Sequence, residues 1–235
     1  MNKSIKNKIA VITGAGLGIG RATALLLARH GAKVMVTDLN VLEGEKTVQM
    51  ITEAGGYGVF YKLDVSIRED VMLVFKQIFD TEGAIDFGVN NAGIGGGIGP
   101  IHEIPFSAWD RMIGICLSGV FYCMQEEIKY MLSNQFGRIV NVSSLAGLNG
   151  IGTGADYSAA KHGVIGLTKT AALEYGEFNV RTNAVCPGFI KTAILDEVPK
   201  EVQDYSTNIR VPLKRVGTPE EVADVIMWLL SDASS

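Results

Sequence analysis

Tyr157 and Lys161 stand four residues apart in the stretch Ala155-Asp156-Tyr157-Ser158-Ala159-Ala160-Lys161. The stretch is rich in helix formers, so the two side chains share one face about a turn apart. A free phenol titrates at about 10, too high for an effective base at neutral pH, and an ammonium beside it favours the phenolate. Such a pair could exchange a proton with a substrate oxygen. The same spacing arises on any solvated helix face, so the pair alone does not decide between the two.

A second group lies near the N-terminus, Thr13-Gly14-Ala15-Gly16-Leu17-Gly18-Ile19-Gly20. It sits between an apolar strand-like run and a helix-like stretch, where exposed N–H groups and the positive end of the helix dipole can hold a pyrophosphate. The spacing is Gly14-x-x-x-Gly18-x-Gly20 and not the strict G-x-G-x-x-G, and a simple tight turn would use glycines too. Asp38 follows Gly20 at the end of the next strand-like run, placed to accept hydrogen bonds from an adenosine ribose diol. Leu39 and Asn40 add no cation for a 2′-phosphate, which favours NAD over NADP. The plain alternative is that Asp38 caps the helix beginning near Val41. Asp64 and Asn90 end later strands on the same edge, where turn chemistry would also place them.

The elements that must position these residues alternate. Strand-like runs occur near 8–13, 33–37, 58–63, 85–90, 138–143 and 180–186, with helix-like stretches near 19–30, 41–54, 67–81, 107–133 and 156–177. Such alternation predicts a parallel sheet covered on both faces. No Pro- or Ser-rich break divides it. The fold class is therefore α/β, one doubly wound Rossmann-type domain over residues 1–235 with a mainly parallel, six-stranded sheet and its ligands at the carboxyl ends of the strands. A last helix is expected over Pro219 to Ser231, with Thr218 as N-cap, Pro219 at the first position and Glu220 and Glu221 in the first turn.

Composition removes several classes of function. Twenty-one Lys and Arg against 25 Asp and Glu leave a net charge of −4, no surplus to hold nucleic acid. Three cysteines, Cys116, Cys123 and Cys186, form neither a disulfide framework nor a zinc site, which points to a reducing compartment. His30, His102 and His162 lack metal-ligand spacing, so no metal is expected. The basic start from Met1 to Lys8 leads into an apolar run too short for a signal or membrane span, so a cytoplasmic protein is expected. The 28 glycines gather near 14–20, 93–99 and 147–154, marking loops.

Together with Asn90-Asn91-Ala92-Gly93, Ser144 thirteen residues before Tyr157, and Pro187-Gly188-x-x-x-Thr192, these motifs carry a resemblance. From about Lys8 to the end, the chain resembles the short-chain dehydrogenases/reductases. The resemblance implies hydride transfer between NAD(H) and a secondary alcohol or ketone. It makes Tyr157 the acid/base, Lys161 its activator and a ligand of the nicotinamide ribose, and Ser144 the group that polarises the reacting C–O bond, with Ser143 a structural neighbour. It assigns Gly14, Leu17, Gly18, Ile19, Gly20, Asp38, Asp64, Val65, Asn91, Ala92, Gly93, Pro187, Gly188, Ile190 and Thr192 to the cofactor, besides Tyr157 and Lys161. Asn90 and Gly93 would border the adenosine and steady the sheet. Substrate would meet Ser144, Tyr157, Leu145 and Phe189, in a pocket walled by loops 94–99, 145–154 and 188–215. The apolar character of those loops, with Ile194, Leu195 and Val198 among their residues, favours an uncharged substrate. The length of the last suggests a lid. A homotetramer packed through the helices of 107–133 and 156–177 is implied as well.

Two departures qualify the resemblance. Where many members carry an asparagine that helps hold a water beside the lysine, this sequence has Cys116, and a thiol is a poor substitute for a carboxamide. Slower proton relay, rewiring through Ser118, and an impaired NAD-binding regulatory or scaffold protein are the three readings of that change. The sequence also stops at Ser235, where the family continues into a seventh strand; the expectation is that this strand lies beyond the sequence given.

Overall fold

The computed structural model describes residues 5–96, 99–196, 198 and 200–235; residues 1–4 and the Gly97-Ile98 part of the 94–99 loop lie outside them. Six strands alternate with helices: β1 (Ile9–Thr13), α1 (Gly18–Arg29), β2 (Lys33–Asp38), α2 (Val41–Glu53), β3 (Tyr57–Lys62), α3 (Arg68–Glu82), β4 (Phe87–Asn90), α4 (Phe106–Ile113), α5 (Gly119–Asn134), β5 (Gly137–Val142), α6 (Ala155–Tyr175), β6 (Val180–Val185), α7 (Ala193–Asp196), α8 (Lys200–Arg210) and α9 (Pro219–Leu230). All strand pairs are parallel, in the order β3-β2-β1-β4-β5-β6. The order reverses between β1 and β4, so a crevice opens there at the carboxyl edge.

The β1 sequence Ile-Ala-Val-Ile-Thr is buried throughout, as a central strand covered on both faces must be. Ala10 and Ile12 face one core with residues of α1, α2 and α9. Ile9 and Val11 face the other with residues of α3, α5 and α6. The period-two alternation of β1 thus feeds two separate layers. Thr218 caps α9 as expected: its Oγ1 accepts the Glu221 N–H, and the Glu221 carboxylate accepts the Thr218 N–H at 2.8 Å.

Two features differ from the sequence reading. The helix expected over 107–133 is interrupted by a π-helical turn, Gly114–Ser118, which carries Cys116. The long connection after Gly188 is not open loop. It holds α7 and α8, and its ends are joined where Lys191 N–H bonds the Gly217 carbonyl and Gly217 N–H the Phe189 carbonyl. Four residues are too few in α7 to show a helical period, and α8, Lys-Glu-Val-Gln-Asp-Tyr-Ser-Thr-Asn-Ile-Arg, is polar enough overall to read as loop.

Candidate active site

The glycine-rich turn between β1 and α1 is shaped by what its glycines lack. Gly14 has φ +61°, and a Cβ there would meet Ala92 Cα at 2.8 Å; a Cβ on Gly20 would stand 2.2 Å from the Gly14 carbonyl oxygen. Asn91 secures this contact by donating Nδ2 to the carbonyls of Thr13 and Gly14 at 2.9 and 3.0 Å. Thr13 Oγ1 accepts the N–H groups of Asn91 and Ala92, both at 3.0 Å. No side chain caps α1, whose N-cap Leu17 lies in extended backbone with its side chain exposed. The first turn therefore offers its N–H groups to an anion.

Asp38 stands beside that turn, and the cap of α2 is Asn40 instead. One Asp38 oxygen accepts Gly16 N–H at 2.8 Å, the other Asn40 N–H at 2.8 Å. Each oxygen keeps a further lone pair for a ribose hydroxyl. Arg21, on the first turn of α1, is occupied by Glu43 at 2.5 Å. Lys62 is the register partner of Asp38 on β3, a cation that sequence adjacency did not reveal, yet it forms no ion pair with it. Among the other residues assigned to the cofactor, Asp64 binds Ser66 in a local turn. Ile19, Val65 and Ile190 direct their side chains into the cores, which leaves their backbone for any ligand contact. Gly18 and Thr192 meet, a Cβ on the first lying 3.1 Å from the Thr192 methyl. Beside them a groove of about 460 Å³ runs past Leu17, Arg21, Met50, Lys191 and Pro219, and the motifs gave no sign of Arg21, Met50 or Lys191. Arg21 follows Gly20 and Lys191 precedes Thr192, but only the tertiary fold brings them together with Met50.

On the far side of the crevice, the tip of β5 is bound to α6. Ser143 Oγ donates to the Lys161 carbonyl at 2.9 Å, and Lys161 Nζ donates to the Val142 carbonyl at 2.9 Å. Lys161 is 4% exposed and its Nζ lies 5.6 Å from the centre of the Tyr157 ring. Ser144 Oγ accepts Ala146 N–H at 3.1 Å, capping a short 3₁₀ turn. Among the described residues the Tyr157 hydroxyl has no hydrogen-bond partner, and its ring packs beside Met112, Cys116 and Ala160. Gly93 joins the two halves: a Cβ on it would lie 3.5 Å from Cys116 Sγ and 3.7 Å from Lys161 Nζ. Leu145 N–H reaches the Pro187 carbonyl at 2.9 Å, drawing the loops after β5 and β6 together. Leu145 is exposed, Phe189 half-buried and Gly188 exposed. Asn90 ends β4 at the carboxyl edge, as expected, and its side chain, 2% exposed, turns inward to Glu127 and Asn141 and ties β4 to β5.

An uncapped helix end, a carboxylate with lone pairs to spare and a Ser, Tyr and Lys group along one sheet edge form an arrangement that a dinucleotide-linked redox site would fit. The family model described as Enoyl-(Acyl carrier protein) reductase matches residues 14–235. The chain belongs to the short-chain dehydrogenases/reductases. As such it is an oxidoreductase. It is 43% identical to a cyclohexanol dehydrogenase of Acinetobacter sp. (strain SE19), over 100% of this chain and 92% of that protein. It is 39% identical to a cis-4-hydroxycyclohexanecarboxylate dehydrogenase of Sinomonas cyclohexanicum, over 100% and 94%. The crystal structure of an NAD+-bound xylitol dehydrogenase superposes with a TM-score of 0.94 at 33% identity, covering 99% of this chain and 95% of that one. Among the described residues of this short-chain dehydrogenase/reductase, no helix is long and apolar enough to cross a membrane, and no cluster of three metal-ligating side chains occurs.

Proposed function

We propose that this protein is an NAD-dependent alcohol dehydrogenase that interconverts a cyclic secondary alcohol and its ketone. The observation that carries the reading is the pair of hydrogen bonds between Lys161 and the β5 tip, which draws the helix of Tyr157 to the strand end beside Ser144. Relatives named for cyclohexanol and hydroxycyclohexanecarboxylate support the substrate class. NAD, when bound, accepts or supplies the hydride.

The residues divide the remaining work. In the oxidising direction Tyr157 takes the hydroxyl proton as the carbinol hydride departs, and in reduction it returns that proton to the carbonyl oxygen. Ser144 Oγ already accepts one N–H, so its own hydrogen is left to donate to the substrate oxygen. Lys161 commits one of three N–H donors to Val142, leaving two for the phenol and the nicotinamide ribose. Asp38 holds the adenosine ribose and repels a 2′-phosphate, while the α1 turn and residues 187–192 hold the rest of the cofactor.

Following NADH and NADPH absorbance over a panel of cyclic and acyclic ketones tests this. Consumption of NADH with cyclic ketones, abolished in Tyr157→Phe, is the expected result. NAD binding without turnover on any of them would favour the impaired regulatory protein instead. The homotetramer and cytoplasmic location belong to the same reading; Phe121 on α5 and Leu173 on α6, 45% and 87% exposed, are apolar surface that a neighbouring subunit would cover.

A further inference from the structure

Beneath the site a chain of polar side chains crosses the apolar core. Asn90 Nδ2 donates to Glu127 Oε2 at 3.0 Å and to Asn141 Oδ1 at 2.9 Å. Asn141 Nδ2 donates in turn to Thr168 Oγ1 at 2.9 Å, and Thr168 to the Val164 carbonyl at 2.7 Å. This links α5, β4, β5 and α6, and its last member lies two turns along α6 from Lys161. Glu127 is fully buried, and strand residue Gly88 makes room for it: a Cβ there would stand 2.2 Å from Glu127 Oε1. A glycine inside a central strand is costly unless something occupies the space.

Two atoms in this chain lack a partner, Glu127 Oε1 and Asn90 Oδ1. Both are acceptors if Glu127 is ionised, and both sit in the one residue pair already joined through Oε2 and Nδ2. A single proton on Oε1 removes the conflict, because a neutral carboxyl and a primary amide can exchange two hydrogen bonds. The groups placed against it are Cys123 of its own helix and Gly88 and Asn90 of β4, with Asn141 of β5 and Thr168 of α6 further along the chain of bonds; none of these is a cation. Burial pushes the Glu127 carboxyl up to about 8, with the Asn90 bond opposing.

We propose that Glu127 is a positioning residue that works as a neutral acid: it donates to Asn90 Oδ1 and so registers β4, with the strip 91–93 that touches Lys161, against α6. Its effect on turnover rests on the functional reading above, whereas its effect on the order of α6 does not. Glu127→Gln supplies an N–H donor and a carbonyl in the same places; Glu127→Leu supplies neither.

The sign of the pH dependence follows from the raised value. The carboxyl's contribution to stability is fully present below its unfolded value of 4.5 and is lost as pH rises towards about 8. The unfolding-temperature difference between Glu127→Gln and wild type should therefore widen over that window and then level off. At pH 7 Glu127→Gln should keep kcat within about twofold, while Glu127→Leu loses about 10- to 100-fold at unchanged KM for NAD. Hydrogen exchange of the α6 amides 161–168 should stay slow in Glu127→Gln and quicken in Glu127→Leu. A Leu variant with wild-type protection, or a Gln variant as disordered as Leu, overturns the proposal. So does a temperature difference that does not change with pH. If wild type turns over no alcohol at all, the functional reading fails, and the exchange and stability measurements still decide the role of Glu127.

Discussion

The two sides of the crevice are built by opposite means. The β1–α1–β2 side is made of close backbone approach: Gly14 against Ala92, Gly20 against Gly14, and Asp38 receiving two N–H groups. The β4–β5–α6 side is made of side-chain bonds between residues distant in sequence, Ser143 to Lys161, Asn90 to Glu127, Asn141 to Thr168. The first kind of site fixes where a ligand may come close. The second fixes how reacting groups stand relative to one another. Damage to the first should appear as lost binding, and damage to the second as lost turnover.

The sharpest test of that division is Lys161→Met, which removes the ammonium and its bond to Val142 while keeping an apolar stem. A fall of about 10²- to 10⁴-fold in kcat is expected, the usual range for losing an acid/base group, with a much smaller change in NAD affinity by calorimetry. A comparable loss in affinity would show that Lys161 belongs to the binding side. Next comes Gly20→Ala. The added methyl meets the Gly14 backbone as well as the Asn91 amide, so NAD affinity should drop and stability should fall by about 1–3 kcal/mol of overpacking, read as a lower unfolding temperature. An Ala variant that binds NAD normally would show that the turn has slack. Asp38→Asn is milder: the amide keeps an acceptor and loses the charge. The NAD over NADP preference should narrow about tenfold, worth about 1.4 kcal/mol, and the register neighbour Lys62 should enlarge that change. If Asp38→Asn leaves the preference unchanged, the carboxylate is not the discriminating group.

The same contrast explains what could be read from sequence. Glycines that must lack a Cβ leave their mark as a local pattern, and Tyr157 with Lys161 leaves the helical spacing of four, so the turn and the reacting pair were legible. The strands were too, because a core strand such as Ile9–Thr13 has no polar residue facing outward. The inward turn of the Asn90 side chain was not legible, because its partners, Glu127 and Asn141, are 37 and 51 residues away. Glu127 itself reads as one more charge on an amphipathic helix, since only Gly88, on another element, reveals that it is buried. The π turn at 114–118 was invisible for a different reason: one extra residue per turn changes the phase of the helix without changing its composition.

That turn also sets the smallest of the expected effects. Cys116 Sγ accepts the Ile94 N–H at 3.4 Å and approaches the Ile94 carbonyl at 3.7 Å, so the thiol holds the strip after Gly93 by weak bonds. A carboxamide has both a donor and an acceptor and can make the same two bonds more strongly. It also places a polar group on the side of Gly93 where Lys161 lies, where a water could be held beside the ammonium. Cys116 is fully buried in a cluster with Met112 and Ala160, however, and the larger carboxamide should cost about 1–3 kcal/mol in overpacking. Cys116→Asn should therefore turn over a few times faster and unfold at a lower temperature. Cys116→Ala, which only removes the bonds, should be slower at nearly unchanged stability. Equal or slower turnover in the Asn form would mean that proton exchange at Lys161 does not limit the reaction, and the cysteine would then be a packing choice on the side of the crevice that governs rate.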